Sequence, residues 1–381
     1  MMLISVQTGV LHDYYAYTRQ WLSIGIGNNP WRQEAVPTNA YGPLHVALTP
    51  VYKISELAPK FLFASVLIVV LFLFLRTLLS RNYLSRMTLA FWTILVFLNF
   101  FLIGIAFVFG LNDSLVAALL GLAVLARWRK ATVVAGLAIG AAALLKFYPL
   151  LLLPALALDG RKINMRLMSS ASIAFIGGFA ISLVVWGESA LDPLLFGGSR
   201  SESGFLSLMF YLHQMRLNGV PAFGTLADLY EVGNILIVGV ALVAIFGIGW
   251  WKRLDWLHLT SISMLAIFIL GKVSHQQILL PWIILLVAIL ARGVGIDQKF
   301  VMAGLPVVIF LSLYQIYFDY LIRTNLYWEG GGSLLKTMAY PFATMGLFTL
   351  VVQLGLAIRG VDRKQGVQGE TMKAETQNRN R

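Results

Sequence analysis

The residues best equipped for chemistry fall into four polar clusters set between long apolar runs. The first is His12-Asp13-Tyr14-Tyr15-Ala16-Tyr17, continuing through Arg19 and Trp21 to Asn28-Asn29-Pro30-Trp31 and then Asn39-Ala40-Tyr41-Gly42-Pro43-Leu44. Sugars offer flat C–H faces to aromatic rings, and a carboxylate beside such rings can take a proton from an attacking hydroxyl. Asp13 with Tyr14, Tyr15 and Tyr41 therefore fits a sugar. Base rates favour a plainer account of the rings alone, an aromatic belt at a membrane interface.

The second cluster is Gly110-Leu111-Asn112-Asp113-Ser114-Leu115, with apolar runs on both sides. An acid held below a membrane surface costs roughly 2–3 kcal/mol and needs a partner or a role. A helix cap at Asn112 or Asp113 is the ordinary account, and the two are compatible. The third cluster is Leu144-Leu145-Lys146-Phe147-Tyr148-Pro149-Leu150, where Pro149 breaks an apolar stretch. Lys146 beside the break fits a phosphate contact and equally a snorkelling lysine. The fourth is Gly271-Lys272-Val273-Ser274-His275-Gln276-Gln277, followed by Pro281. A lone His is more often structural, but His275 falls where a lipid-phosphate headgroup lies. Arg200, Arg216 and Arg323 are further phosphate candidates, with plain solvation as their ordinary reading.

The elements that position these clusters must be membrane helices. Of 381 residues, 59% are apolar and 12% charged, and the mean hydropathy of +0.78 excludes a water-exposed globular surface. Eleven spans are expected at roughly 60–79, 87–109, 113–126, 131–146, 149–158, 167–187, 232–251, 257–272, 276–292, 299–318 and 338–358. A full crossing takes about 20 residues, so 113–126 and 149–158 are kinked or re-entrant pieces. The expectation is an all-α, polytopic transmembrane bundle: one domain over residues 1–358, with large extracytoplasmic loops at 12–59 and 188–231. Residues 359–381, polar throughout, are expected as a disordered cytoplasmic tail.

Charge sorts the alternate loops. One set, with the tail, holds net +13 and the other net −1, which together make the chain's +12. The basic set belongs to the cytoplasm, so the four clusters lie on the extracytoplasmic face. The positive charge is thereby explained by topology, and nucleic acid is not an expected partner. With no cysteine, disulfides, thiol nucleophiles and Cys-based metal sites are excluded. Met1–Leu11 is too short to span, although this topology requires a crossing before His12; a truncated first helix or a tilted half-helix is expected there.

In this order the clusters resemble the polyprenol-phosphate-mannose-dependent mannosyltransferases of the integral-membrane GT-C class. The most specific block is GLNDSLVAALLGLAVLARWRK followed by AGLAIGAAALLKFYPLLLLPAL, similar to that family's G-x-x-D and K-[FLY]-Y-P-L-L-L-L-P pattern. The Asp-containing first loop with its Tyr-Gly-Pro-Leu sequel matches next best. Leu111, at a position often polar, and the missing first helix depart from the pattern.

The resemblance implies a polyprenyl-phosphate-linked hexose donor, mannose above all, and a glycolipid or glycan acceptor, among membrane lipids. It implies inverting transfer at the extracytoplasmic face without cofactor or metal, and no Asp-x-Asp motif occurs. Asp13 maps onto the first-loop acid, the catalytic base. Asn112, Asp113, Lys146, Tyr148, Lys272, His275 and Gln276 map onto the donor site, with the cations and His275 steadying the departing phosphate. A transporter or flippase is the alternative; internal symmetry is its signature, and none is legible.

Overall fold

In hydrocarbon a backbone must satisfy its own hydrogen bonds, so each apolar segment folds as helix. The computed structural model describes residues 2–11, 13–31, 41–82, 84–194, 206–217, 219–272, 275–293, 295–324 and 337–379; the side chains of residues 2, 13, 221, 222, 339 and 362–379 lie outside this description.

The first cluster and its flanks form short helices: α1 (Met2–Thr8), α2 (Asp13–Gly25), α3 (Pro43–Val46) and α4 (Thr49–Ile54). Then follow α5 (Ala58–Ser80), α6 (Arg86–Val96) and α7 (Phe100–Ile103), the last extended by a π-helical turn over Gly104–Val108. Next come α8 (Asp113–Trp128), α9 (Thr132–Leu145), a tight turn at Tyr148–Leu152, α10 (Leu153–Ala157) and α11 (Met165–Trp186). The rest is α12 (Leu208–Leu217), α13 (Pro221–Lys252), α14 (Trp256–Leu270), α15 (Leu280–Arg292), α16 (Ile296–Arg323) and α17 (Ala339–Arg379). A two-stranded hairpin pairs Leu158 with Ile163 and Asp159 with Lys162.

Among the described residues six helical stretches are long and apolar enough to cross a membrane: Ala58–Ser80, Arg86–Val108, Met165–Leu194, Phe223–Lys252, Ile296–Arg323 and Tyr340–Val361. The expected count of eleven is not reached on that measure. The other five apolar segments are helical too, but shorter; α8, α14 and α15 are packed inside the bundle, where a helix needs no lipid-spanning length, while α9 keeps Val133, Val134 and Leu137 exposed. The backbone of α17 stays helical through the polar segment after Arg359.

At the centre stands α15, with every side chain from Leu280 to Ala291 buried. It packs against α5, α8, α14 and α16. The tightest helix pair is α9 with α11. Gly136 and Gly140, spaced as a small-xxx-small pair, let the α11 backbone approach: a Cβ at Gly136 would run into Ser170 and the Leu167 carbonyl. That contact fixes α9, and with it Lys146 just past its end.

One end of the bundle carries Arg81, Arg127, Lys252 and Arg292, and the other Asp113, Lys146 and Lys272. The basic end is cross-tied. Arg292 pairs with Asp255 and, at 3.1 Å, with Asp297, while His258 Nε2 stands 2.9 Å from Asp297 Oδ1. Burial works to raise the Asp255 carboxyl, but the Arg292 and His258 charges outweigh it and hold it at about 2. The Arg127 guanidinium lies 4.1 Å from the Trp256 ring centre and donates to the Leu158 carbonyl at 2.6 Å.

Two glycine substitutions separate close packing from helix propensity. Gly136→Ala should lower thermal stability in detergent by roughly 1–3 kcal/mol, because its methyl has no room. Gly177→Ala on α11 meets nothing within 4 Å and should leave thermal stability unchanged or raise it by the propensity gain of about 1 kcal/mol.

Candidate functional site

The site begins with a helix that cannot continue. Pro149 has no N–H, so the Leu145 carbonyl loses its helical partner. Gly42 N–H replaces it at 3.1 Å. Only glycine allows the approach, since a Cβ at position 42 would strike the Leu144 carbonyl. The Tyr-Gly-Pro-Leu and Lys-Phe-Tyr-Pro segments thus interlock backbone to backbone.

Released from the helix, Lys146 is extended (φ −146°, ψ 138°). Its Nζ lies 2.7 Å from Asp113 Oδ2 and 5.9 Å from the Tyr41 ring centre. Asp113 is fully buried, whereas the Lys146 side chain keeps 14% exposure. An unpaired carboxylate at such depth is too costly to keep charged, so the pair is what allows Asp113 to be there as an anion. Its place on the first turn of α8 adds the favourable helix dipole. Snorkelling alone does not describe Lys146, whose charge is turned onto an acid 33 positions away.

Asn112 occupies the cap position of α8, yet its side chain does not cap. Its Oδ1 accepts from the Tyr17 hydroxyl at 3.0 Å, and its Nδ2 is 3.4 Å from His45 Nδ1. His45 is fully buried. Trp21 stacks on it at 4.8 Å and 23°, with Tyr17 and Tyr41 closing in at 4.7 and 4.8 Å. Burial, then the Lys146 charge, push the imidazole down to about 3, so it is neutral at ordinary pH.

A second buried cation supports both acid-bearing segments. Lys60, at the start of α5, donates to Thr8 Oγ1 at 2.8 Å, Gly9 O at 3.0 Å and Val108 O at 2.7 Å. Gly110, with φ +66°, has no room for a side chain beside the Lys60 stem. The chain leading to Asp13 and the chain leading to Asp113 are thereby tied to one ammonium.

The sequence-derived residues fare differently. Asp13 opens α2, but its side chain, like all of His12, lies outside the described residues. Tyr14 is in the core; its hydroxyl donates to the Glu56 carbonyl at 2.7 Å, and burial raises its pKa. Tyr15 is exposed, and its hydroxyl accepts from Arg19 Nε at 2.8 Å. Tyr41 is 8% exposed and faces Lys146 across its ring. Tyr148 is half-buried, and its hydroxyl, out of solvent, has no hydrogen-bond partner among the described residues. Lys272 is placed from α13, where Asn234 Oδ1 accepts its backbone N–H at 3.0 Å while Asn234 Nδ2 and the Tyr230 hydroxyl donate to the Leu270 carbonyl. His275 and Gln276 begin the turn that leads into α15. Val273 and Ser274 lie outside the described residues, as do Asn39, Ala40 and Arg200. Arg216 and Arg323 pair with Asp228 and Asp319.

Reading the sequence missed His45, Lys60, Tyr230 and Asn234, and it placed Tyr17 and Trp21 in the first cluster without giving them a role. His45 follows directly on Tyr-Gly-Pro-Leu and was within reach; Lys60 looks like any lysine opening a span. Among the described residues no group of three His, Asp or Glu side chains is assembled to hold a metal.

The family model of glycosyltransferase family 87 matches residues 40–274, well over half of the chain. The chain belongs to glycosyltransferase family 87. No curated protein matches it in sequence. The family 87 match includes Tyr41, Asn112, Asp113, Lys146, Tyr148 and Lys272, and it stops short of Asp13 and His275. Membership makes the protein a membrane glycosyltransferase with a sugar donor and an acceptor.

Two measurements test this geometry. Lys146→Met removes the cation 2.7 Å from the buried Asp113 carboxylate and should cost roughly 3–5 kcal/mol in thermal or denaturant unfolding, while adding Asp113→Asn should recover much of that loss. For His45, the folded pKa lies below the unfolded value, so the unfolded chain takes up the proton first as pH falls. Stability should therefore be full above about pH 6.5 and decline below it, losing about 2 kcal/mol by pH 5. In His45→Phe that part of the decline should vanish.

Proposed function

We propose that the chain is an inverting hexosyltransferase that moves mannose, or another hexose, from a polyprenyl-phosphate donor to a lipid or glycan acceptor. The reading is carried by one observation, the buried Asp113–Lys146 pair at the end of an otherwise apolar bundle. Such a pair suits a donor whose leaving group is a phosphate at membrane depth: Lys146 faces the charge that develops as the glycosidic bond breaks, and Asp113 holds Lys146 in place until the phosphate arrives. Lys272 and His275 add a second cation and a donor to the same leaving group. Asp13, opening α2, takes the proton from the acceptor hydroxyl. The transfer is metal-independent in this proposal, because the cations and His275 meet the departing charge.

We place the site on the extracytoplasmic face and the C-terminus in the cytoplasm, on the strength of the basic loops gathered at the opposite end. Membership of a glycosyltransferase family does not favour the transporter alternative.

The deciding experiment offers the purified chain a panel of polyprenyl-phosphate sugars and reads the transferred sugar by mass spectrometry. Mannose transfer is expected, and Asp13→Asn should lower turnover by about 10²-fold or more while donor binding survives. Near-normal turnover in Asp13→Asn moves the base elsewhere. No transfer from any polyprenyl-phosphate sugar ends the donor assignment. Orientation is tested in the cysteine-free background, where cysteines at Asn28 and Ser203 should label from outside intact cells and one at Lys130 should not. The reverse pattern overturns the placement.

A further inference from the structure

We infer that His45 is a positioning residue, a neutral imidazole whose Nδ1 accepts from Asn112 and so sets the direction in which Asp113 presents its carboxylate to Lys146. This rests on the proposed role of the Asp113–Lys146 pair in donor use.

Asn112 sits where an asparagine normally turns its side chain back to cap the helix, a contact worth about 1 kcal/mol. Here the amide gives that up. Its oxygen is fixed by the Tyr17 hydroxyl, so its NH2 end must be the one that faces His45. That assigns the tautomer: Nδ1 is the acceptor and Nε2 carries the hydrogen. Nε2 is buried without a hydrogen-bond partner among the described residues, an arrangement that apolar residues of similar size would avoid. A position serving only to fill the space among Tyr17, Trp21 and Tyr41 has no reason to be histidine. The ring is locked from three sides, and its backbone carbonyl accepts from Trp21 Nε1 at 2.9 Å. His45 therefore cannot swing to follow Asn112, and Asn112 must follow His45. Asn112 immediately precedes Asp113, and its backbone N–H also donates to the Tyr17 hydroxyl at 3.4 Å, so the hold on Asn112 anchors the backbone from which α8 starts. A neutral ring is what the role requires, because a protonated Nδ1 has no lone pair to accept with.

Two substitutions separate the ring from its acceptor. His45→Phe keeps the stack on Trp21 and loses the acceptor. His45→Asn loses the stack and keeps an acceptor where Nδ1 was. Melting temperature, hydrogen exchange of the Gly110–Val116 amides and sugar transfer are measured on the full chain in detergent. His45→Phe is expected to melt near the parent temperature, to exchange faster at Gly110–Val116 and to transfer about tenfold more slowly, the loss of one hydrogen bond. His45→Asn should melt lower but exchange and transfer close to the parent. A packing role gives the opposite order, with Phe active and Asn impaired in step with its stability, and that result overturns the inference. Should the parent chain transfer from no polyprenyl-phosphate sugar, the donor assignment fails, and the exchange comparison alone decides His45: unchanged exchange in Phe overturns the role.

Discussion

A carboxylate can be buried in an apolar bundle only if a cation is brought to it, and the architecture around Asp113 is organised by that need. Lys146 meets Asp113 because α9 is broken at Pro149, leaving Lys146 extended. The break is tolerable because Gly42 takes over the orphaned Leu145 carbonyl. Gly42 is in reach because the first loop folds onto the bundle through Lys60, Tyr17, Trp21 and His45. Each step answers a demand created by the one before it.

The two ends of the bundle hold charge in different ways. At the basic end Arg292 is divided between Asp255 and Asp297, and His258 closes the group, so these four side chains answer one another. At the other end Lys146 pairs, among the described residues, with the Asp113 carboxylate and keeps part of its surface free. The first arrangement clamps helices; the second leaves a cation able to take another anion. That contrast supports placing donor chemistry near Lys146.

Much of this was legible in the sequence, for identifiable reasons. Helix positions followed from the length of the apolar runs, and the break at Pro149 from the missing N–H. Asp113 and Lys146 were each singled out, but their pairing was not, since 33 residues and a reversal of chain direction separate them. Six of the eleven expected spans have full crossing length among the described residues and the rest are shorter helices, because an apolar run does not say whether lipid or protein covers it. His45 and Lys60 stayed hidden because their duties are fulfilled by partners 48 to 67 positions away, among them Gly9, Val108 and Asn112. Tyr14 looked like a sugar platform by type alone; the structure spends its hydroxyl on a backbone carbonyl and its faces on neighbouring rings.

The meeting of Gly42 with the Leu144–Leu145 carbonyls has a consequence for how such chains diverge. Two backbones in contact leave no side chain at position 42 through which variation could be absorbed. The first loop and the Lys146 segment must therefore be exchanged together, although about a hundred residues separate them. A hybrid that takes one from a relative and not the other inherits a mismatch in backbone height that repacking of side chains cannot correct, while the α12 region, held to the bundle by side chains, is free to be exchanged.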